Sequence, residues 1–89
     1  MNSINKSYTL ITGASEGLGK ALAIECASRG MNLILVALPG IELHQLSSYI
    51  RREYKVLVYE FGLNLTIEES RHFLWEKVME NNLPCHYAH

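Results

Sequence analysis

The sequence predicts an α/β fold: half of a doubly wound parallel sheet in three layers, with elements in the order βαβαβα and strands in the order 3-2-1. Short runs of β-branched and aliphatic residues alternate with helical patterns along the chain. The second run, Leu33–Leu38, is apolar at every position, which is typical of a strand covered on both faces. A glycine-rich turn links the first run to the first helical pattern.

The three predicted strands are Tyr8–Thr12, Leu33–Leu38 and Val56–Tyr59. Right-handed crossovers between consecutive parallel strands give the order 3-2-1, which leaves the first strand at one edge of the sheet. An edge strand carries unpaired N–H and C=O groups. We therefore expect a homo-oligomer in which Tyr8–Thr12 pairs with its copy across a two-fold axis.

The first two predicted helices differ in character. The first, Gly17–Arg29, is rich in alanine, and Gly30 follows it where a left-handed residue commonly ends a helix. The second runs from Ile41 to about Tyr54 with apolar residues at helical spacing, and Pro39-Gly40 provides the break before it. Both helices are expected to pack on the sheet.

The third helix is predicted from a capping signal. Thr66 and Glu69 have the spacing of a capping box, and an apolar stripe follows them. Beyond this helix, residues 82–89 lack the apolar run of a strand and are expected to form an irregular tail. The whole chain, residues 1–89, is thus interpreted as one partial domain.

Composition excludes several classes of partner. The 89 residues carry eight basic and nine acidic side chains, mixed along the chain, for a net charge of −1. This pattern supplies neither a basic stripe for nucleic acid nor a cationic helix for a membrane surface. The amino terminus lacks the apolar stretch of a signal peptide, so we expect a cytoplasmic location.

The two cysteines predict no special chemistry. Cys26 and Cys85 lack the spacing of metal ligands, and a reducing compartment would keep them as thiols. Cys85, His86 and His89 offer three donors in a terminal tail without a fourth, so no metal site is predicted.

The segment Thr12–Gly19 is the most informative motif. Its glycines allow a tight turn at Gly13, close approach of a diphosphate at Gly17, and close packing of the helix at Gly19. A helix that begins at such a turn presents backbone N–H groups to an anion. The motif indicates a dinucleotide site, although a purely structural turn is the simpler alternative.

A Walker phosphate loop is excluded by spacing. Five residues separate Gly13 from Gly19, where the Walker motif requires four between its glycines. Lys20 is followed by Ala21, which has no hydroxyl for magnesium.

Several segments together resemble the amino-terminal part of the classical short-chain dehydrogenases/reductases. They are Thr12-Gly-Ala-Ser-Glu-Gly-Leu-Gly19, Ala21-Leu22-Ala23, Cys26-Ala-Ser-Arg-Gly30, Asn32–Ala37 and Asn64-Leu65-Thr66. The resemblance spans nearly the whole chain and implies an NAD(P)-binding Rossmann-like fold. It also implies a parent reaction of hydride transfer between an alcohol and a carbonyl.

The resemblance implies a set of cofactor-binding residues. Those lining the pyrophosphate and ribose would be Gly13, Ser15, Glu16, Gly17, Leu18 and Gly19. Leu38 would lie where the family recognises the ribose 2′ group, while Asn64 and Leu65 would meet the adenine. Asn64 replaces the family's acid but can still hydrogen-bond an exocyclic amine.

The position that would distinguish NAD from NADP is Leu38. Leu38 offers neither the acid that accepts from a 2′-hydroxyl nor the arginine that pairs with a 2′-phosphate. Glu16 would repel a phosphate, so the sequence leans slightly to NAD over NADP.

No catalytic residue is predicted. The family's Asn-Asn-Ala-Gly element, its catalytic serine and its Tyr-x-x-x-Lys pair have no counterpart here, and no lysine has a tyrosine four residues before it. We therefore expect a truncated, cofactor-binding half of a dehydrogenase that is inactive alone. The alternative is a self-associating α/β fragment with a relic nucleotide turn and no ligand.

Overall fold

The computed structural model describes residues 8–80 and 85–88. Within these residues, strands and helices alternate as β1 (Tyr8–Thr12), α1 (Gly17–Ser28), β2 (Asn32–Ala37), α2 (Ile41–Tyr54), β3 (Val58–Gly62), α3 (Glu68–Glu80) and β4 (Cys85–Ala88). The strands form one sheet of order β3-β2-β1-β4, and every pairing is parallel. The predicted α/β half-sheet and the 3-2-1 order of its first three strands are confirmed.

Strand β2 is the centre of the hydrophobic core because both of its faces are covered. Leu33, Leu35 and Ala37 face α1 and α2, while Ile34 and Val36 face α3. The helices supply small or branched residues to these clusters: Ala23 and Ala27 from α1, Leu43, Leu46 and Ile50 from α2, and Leu74 and Val78 from α3. The predicted three layers are thus present.

Strand β3 begins two residues later than predicted and extends to Gly62. The charged Glu60 interrupts the apolar pattern, so the sequence predicts a strand that ends at Tyr59. In the structure its carboxylate oxygens lie 3.3 Å from Arg51 Nη1 and 3.3 Å from His44 Nδ1. The charge is therefore compensated by α2, and the strand can continue through it.

The prediction of an irregular tail is wrong for residues 85–88. These residues form β4, which pairs with β1 from Tyr8↔Cys85 to Ile11↔Ala88. The segment lacks the Val, Ile and Leu residues that mark a strand in sequence, and the backbone of β1 provides its ladder partner. Residues 82–84 and 89 of the predicted tail lie outside the described residues.

Strand β4 also removes the predicted oligomer seam. Because β1 pairs with β2 on one side and β4 on the other, it is not an edge strand, and the expected pairing of β1 with its copy is wrong. The edges of the described sheet are β3 and β4. On β3, Arg51 Nη2 donates a 2.7 Å hydrogen bond to the Val58 carbonyl.

We expect Arg51→Met to increase self-association through the β3 edge. An incoming strand must displace the Arg51 guanidinium, and a charge-assisted hydrogen bond worth about 1.5 kcal/mol corresponds to roughly a tenfold change in association. Light scattering coupled to size exclusion, over a range of protein concentrations, measures this. Arg52→Met is the matched control, since the Arg52 side chain contacts the Glu53 carboxylate and the Tyr49 ring, which both belong to α2. Equal association of both variants would show that Arg51 does not protect the edge.

Candidate functional site

The turn after β1 depends on two glycines with left-handed backbone. Gly13 has φ +63° and Gly17 has φ +58°, values that side-chain-bearing residues rarely adopt. Between them, the buried Ala14 donates its N–H to the Val36 carbonyl at 3.1 Å. This bond lies two residues beyond Thr12, the last residue of β1 paired with β2, and fixes the turn to the end of the sheet.

Gly19 has a different role, which is close packing. A Cβ at this position would overlap the Gly13 carbonyl oxygen and lie 2.6 Å from the carbonyl carbon and 3.2 Å from the Ala14 Cα. The first turn of α1 therefore rests directly on the turn backbone. Any side chain at Gly19 would force the helix away from the sheet.

This packing sets the amino-terminal end of α1 beside the carboxyl end of β1. The Lys20 N–H donates a hydrogen bond to the Glu16 carbonyl at 3.3 Å. The N–H groups of Gly17, Leu18 and Gly19 precede it, and Glu16 makes no side-chain cap. Such N–H groups carry partial positive charge and suit an anion.

A cleft of about 590 Å³ opens at the carboxyl ends of β1, β2 and β3. Its lining includes four of the predicted site residues, namely Gly13, Leu38, Asn64 and Leu65, and its floor includes Val36 and Ala37. Of the remaining predicted residues, Glu16, Gly17, Leu18 and Gly19 form the start of α1 beside Gly13. An apolar lining beside the N–H groups of the turn is compatible with a nucleoside and its phosphates.

The Asn64 side-chain oxygen is occupied by Thr66, which the sequence did not reveal. Asn64 Oδ1 accepts from the Thr66 N–H at 3.0 Å and from the Thr66 hydroxyl at 2.7 Å. Both lone pairs of this oxygen are therefore used in the turn that precedes α3. The expected acceptance from an adenine amine is not available to Oδ1, which leaves the Asn64 side-chain N–H₂ and the backbone for a base.

Leu38 extends from the end of β2 with 63% of its surface exposed. The following Pro39 is held against Gly62, where a Cβ would lie 3.0 Å from the Pro39 Cα. The loop after β2 is thus drawn toward the end of β3. It places no charged group in the cleft, as the sequence indicated.

Ser15 does not line this cleft. It borders a second cavity of about 390 Å³ between the first turns of α1 and α2, together with Lys20 and Glu42. Sequence reasoning missed Lys20 and Glu42 as site residues. Lys20 could have been found from its i, i+4 spacing to Ile24, because that spacing puts both side chains on one face of α1.

Tyr8 is the tyrosine closest in sequence to the glycine turn, but it belongs to the core. Its ring lies edge-on to Tyr59, with centroids 5.5 Å apart. Burial raises the pKa of the Tyr8 phenol, and Tyr59 adds to the shift. A neutral, buried phenol at the amino end of β1 is not placed to exchange protons at the cleft.

Residues 8–80 contain no group of three or more His, Cys, Asp or Glu side chains that could hold a metal ion. The side chains of Cys85, His86 and His89, the possible metal donors of the predicted tail, are not described. Across the described part of the chain, every helix is too short or too polar to span a bilayer.

The match to a family model for short chain dehydrogenases extends over residues 7–84. The chain belongs to the short-chain dehydrogenase family. It is 40% identical over 62 residues to a very-long-chain 3-oxoacyl-CoA reductase of Eremothecium gossypii, covering 65% of this chain and 18% of that protein. A reductase of the same name from Kluyveromyces lactis is 31% identical over 78 residues, covering 88% of this chain and 22% of that protein.

Solved structures agree with this assignment. The bulky-bulky ketone specific alcohol dehydrogenase of Comamonas testosteroni superposes with a TM-score of 0.81 at 32% identity, covering 91% of this chain and 34% of that chain. A short-chain dehydrogenase of Sphingobium yanoikuyae in complex with NADPH superposes with a TM-score of 0.77 at 34% identity. The superposition covers 83% of this chain and 29% of that chain. The chain thus spans 18–22% of these two curated relatives' lengths and 29–34% of these two solved chains.

We expect Gly19→Ala to destabilise the fold strongly. The added Cβ overlaps backbone that cannot move without breaking the Ala14–Val36 bond, and overpacking of this kind costs about 1–3 kcal/mol or more. Gly30→Ala is the control, because Gly30 has φ +81° but open space around it, so only backbone strain of roughly 1 kcal/mol is added. Urea unfolding followed by circular dichroism measures both. Equal midpoints for the two variants would contradict close packing at Gly19.

Proposed function

We propose that this chain is the cofactor-binding half of a short-chain dehydrogenase/reductase, which binds a dinucleotide at the glycine turn and is not catalytic by itself. The observation that carries the proposal is the close packing of Gly19 on the Gly13 carbonyl, which sets the start of α1 beside Gly13, a residue that lines the cleft. Family membership supports the same interpretation. The parent reaction is hydride transfer between an alcohol and a carbonyl.

Each part of the cofactor has a matching surface. The N–H groups of Gly17 and Leu18 at the start of α1 would hold the pyrophosphate. The adenosine would occupy the cleft over Val36 and Ala37, bordered by Leu38, Asn64 and Leu65. When bound, the nicotinamide supplies or accepts the hydride, while the residues of this chain bind and orient the molecule.

Related proteins bear on the reaction and the cofactor form. The relatives named as 3-oxoacyl-CoA reductases and ketone specific alcohol dehydrogenases interconvert carbonyls and alcohols. The Sphingobium yanoikuyae enzyme was solved with NADPH, and an alcohol dehydrogenase of Thermococcus sibiricus, 32% identical, with 5-hydroxy-NADP. These cofactors support NAD(P) and do not support the lean to NAD, so NADP(H) is the form we propose for this chain.

A second candidate function is self-association without a ligand. The exposed side of α3 carries Phe73, Trp75 and Met79, which are 43%, 63% and 58% exposed and line one shallow surface cavity. Clustered apolar exposure of this kind is typical of an interaction surface. In this alternative the glycine turn is a relic of the family and serves only the fold.

Isothermal calorimetry with NAD⁺, NADH, NADP⁺ and NADPH separates the two functions. We expect saturable heat with the dinucleotides, while circular dichroism confirms that the protein stays folded. A folded protein that gives no heat with any of the four up to millimolar concentration would contradict cofactor binding and favour the self-associating fragment.

We expect Gly17→Ala to weaken dinucleotide binding at least tenfold. Its Cβ would stand where the pyrophosphate approaches the amides, and the loss of one charge-assisted hydrogen bond, worth about 1.5–3 kcal/mol, corresponds to that change or more. Gly30→Ala is matched for backbone strain, since both glycines have positive φ and open surroundings. Calorimetric affinities that fall equally in the two variants would show that only strain, and not the site, is affected.

We expect no turnover from the chain alone. The proton-exchanging residues of the family have no counterpart in this sequence, and general acid–base help is worth about 10²–10⁴-fold in rate. Nicotinamide absorbance, followed with a panel of alcohols and ketones, tests this. Enzyme-dependent change well above a heat-denatured control would overturn the prediction.

A further inference from the structure

The Asn64 side chain is held in one orientation at the cleft that opens on the strand ends. Asn64 and Thr66 both line this cleft of about 590 Å³. Because Asn64 Oδ1 accepts from both the N–H and the hydroxyl of Thr66, turning the amide over would set its N–H₂ group against two donors. The amide is therefore fixed with its oxygen engaged, and the N–H₂ group is the part left for a ligand.

The N–H₂ group of Asn64 is an unused donor. It has no hydrogen-bond partner among the residues that the structure describes, and the side chain that carries it is half-buried. A donor that is partly removed from water costs free energy unless an acceptor meets it. A ligand in the cleft therefore gains by placing an acceptor against Asn64.

Two backbone acceptors next to this donor are already engaged. The Asn64 carbonyl accepts from the Ile67 N–H at 3.1 Å, and the Leu65 carbonyl accepts from Arg71 Nη1 at 2.8 Å. Both hydrogen bonds belong to the turn that leads into α3. An amino group on a ligand would have to compete with these bonds, whereas a carbonyl group would not.

Purine bases differ in the group that they would present here. Adenine carries an exocyclic amine, which is a donor, whereas a 6-oxopurine such as guanine or hypoxanthine carries a carbonyl oxygen in its place. Two donors that face each other are both left unpaired, while a donor that faces a carbonyl forms a hydrogen bond. The Thr66 hydroxyl directs its proton to Asn64 Oδ1, so its oxygen can accept from the ring N–H that a 6-oxopurine carries beside its carbonyl.

We propose that Asn64 makes the base subsite select a 6-oxopurine over adenine, so that the chain binds the hypoxanthine form of the dinucleotide more tightly than the adenine form. This inference rests on the proposed dinucleotide function and reverses the polarity of the base contact that an acid at this position would make. The adenine form still binds, through the N–H groups of the glycine turn and the apolar lining of the cleft. Asn64 is thus a specificity-determining residue for the base.

Calorimetry on the full chain with NAD⁺ and with nicotinamide hypoxanthine dinucleotide tests the proposal, because these ligands differ only at the 6-position of the purine and the neighbouring ring nitrogen. We expect the wild-type chain to bind the hypoxanthine form about fivefold more tightly, which is the effect of one hydrogen bond. Asn64→Asp should reverse the order by a similar factor. One carboxylate oxygen can keep the Thr66 bonds while the other accepts from the adenine amine.

Asn32→Asp is the matched control for the change from amide to acid. The Asn32 Oδ1 also accepts a backbone hydrogen bond, from the Leu57 N–H at 3.0 Å. However, Asn32 begins β2, at the opposite end of the strand from the cleft. We expect this variant to leave the ratio of the two affinities at the wild-type value, with circular dichroism confirming that each variant is folded.

The outcomes separate this inference from the function on which it rests. If the folded wild-type chain binds neither dinucleotide, the proposed function is wrong and the base preference fails with it. If it binds both equally, or NAD⁺ more tightly, the function stands and the preference is overturned; this comparison needs no variant. If the hypoxanthine form is preferred but Asn64→Asp keeps that order, or Asn32→Asp reverses it as well, Asn64 does not select the base and the proposal is overturned.

Discussion

Helix α1 can rest on the end of β1 only because Gly19 has no side chain. Its α-carbon packs against the Gly13 carbonyl, and Ala14 in turn is hydrogen-bonded to Val36 of the neighbouring strand. The small residues Ala23 and Ala27 continue the close approach along the same face of the helix. Both the core on this side of the sheet and the direction of the helical N–H groups therefore follow from one backbone contact.

The segment Thr12–Gly19 contributes residues to two cavities. The cleft over Val36 and Ala37 lies on the strand ends, whereas the cavity at Lys20 lies between helices. Ser15 borders the cavity between the helices and not the cleft. A nucleotide bound at the turn would thus present its base to the apolar lining of the cleft.

The sequence was sufficient wherever a local pattern determined the structure. Strand β1, the start of α1 and the bounds of α2 follow from apolar runs, glycines and the Pro39-Gly40 break. It was insufficient wherever a distant partner decided the outcome. Glu60 is tolerated in β3 because Arg51 contacts it, β4 forms because β1 offers a free ladder, and the Asn64 side-chain oxygen is occupied by Thr66. The candidate site followed the same rule, since the turn was visible in sequence, but the cavity that Lys20 and Glu42 border depends on how α1 packs beside α2.

The central claim is that the start of α1 is a ligand site and not only a structural turn. A two-dimensional amide NMR titration of the ¹⁵N-labelled chain with NADPH tests it most directly, because each N–H reports separately. The account predicts saturable shifts at Gly13, Gly17, Leu18 and Gly19, with Gly30 and Lys55 unchanged. Shifts that are absent, or that gather on α3 while the turn is silent, would contradict it.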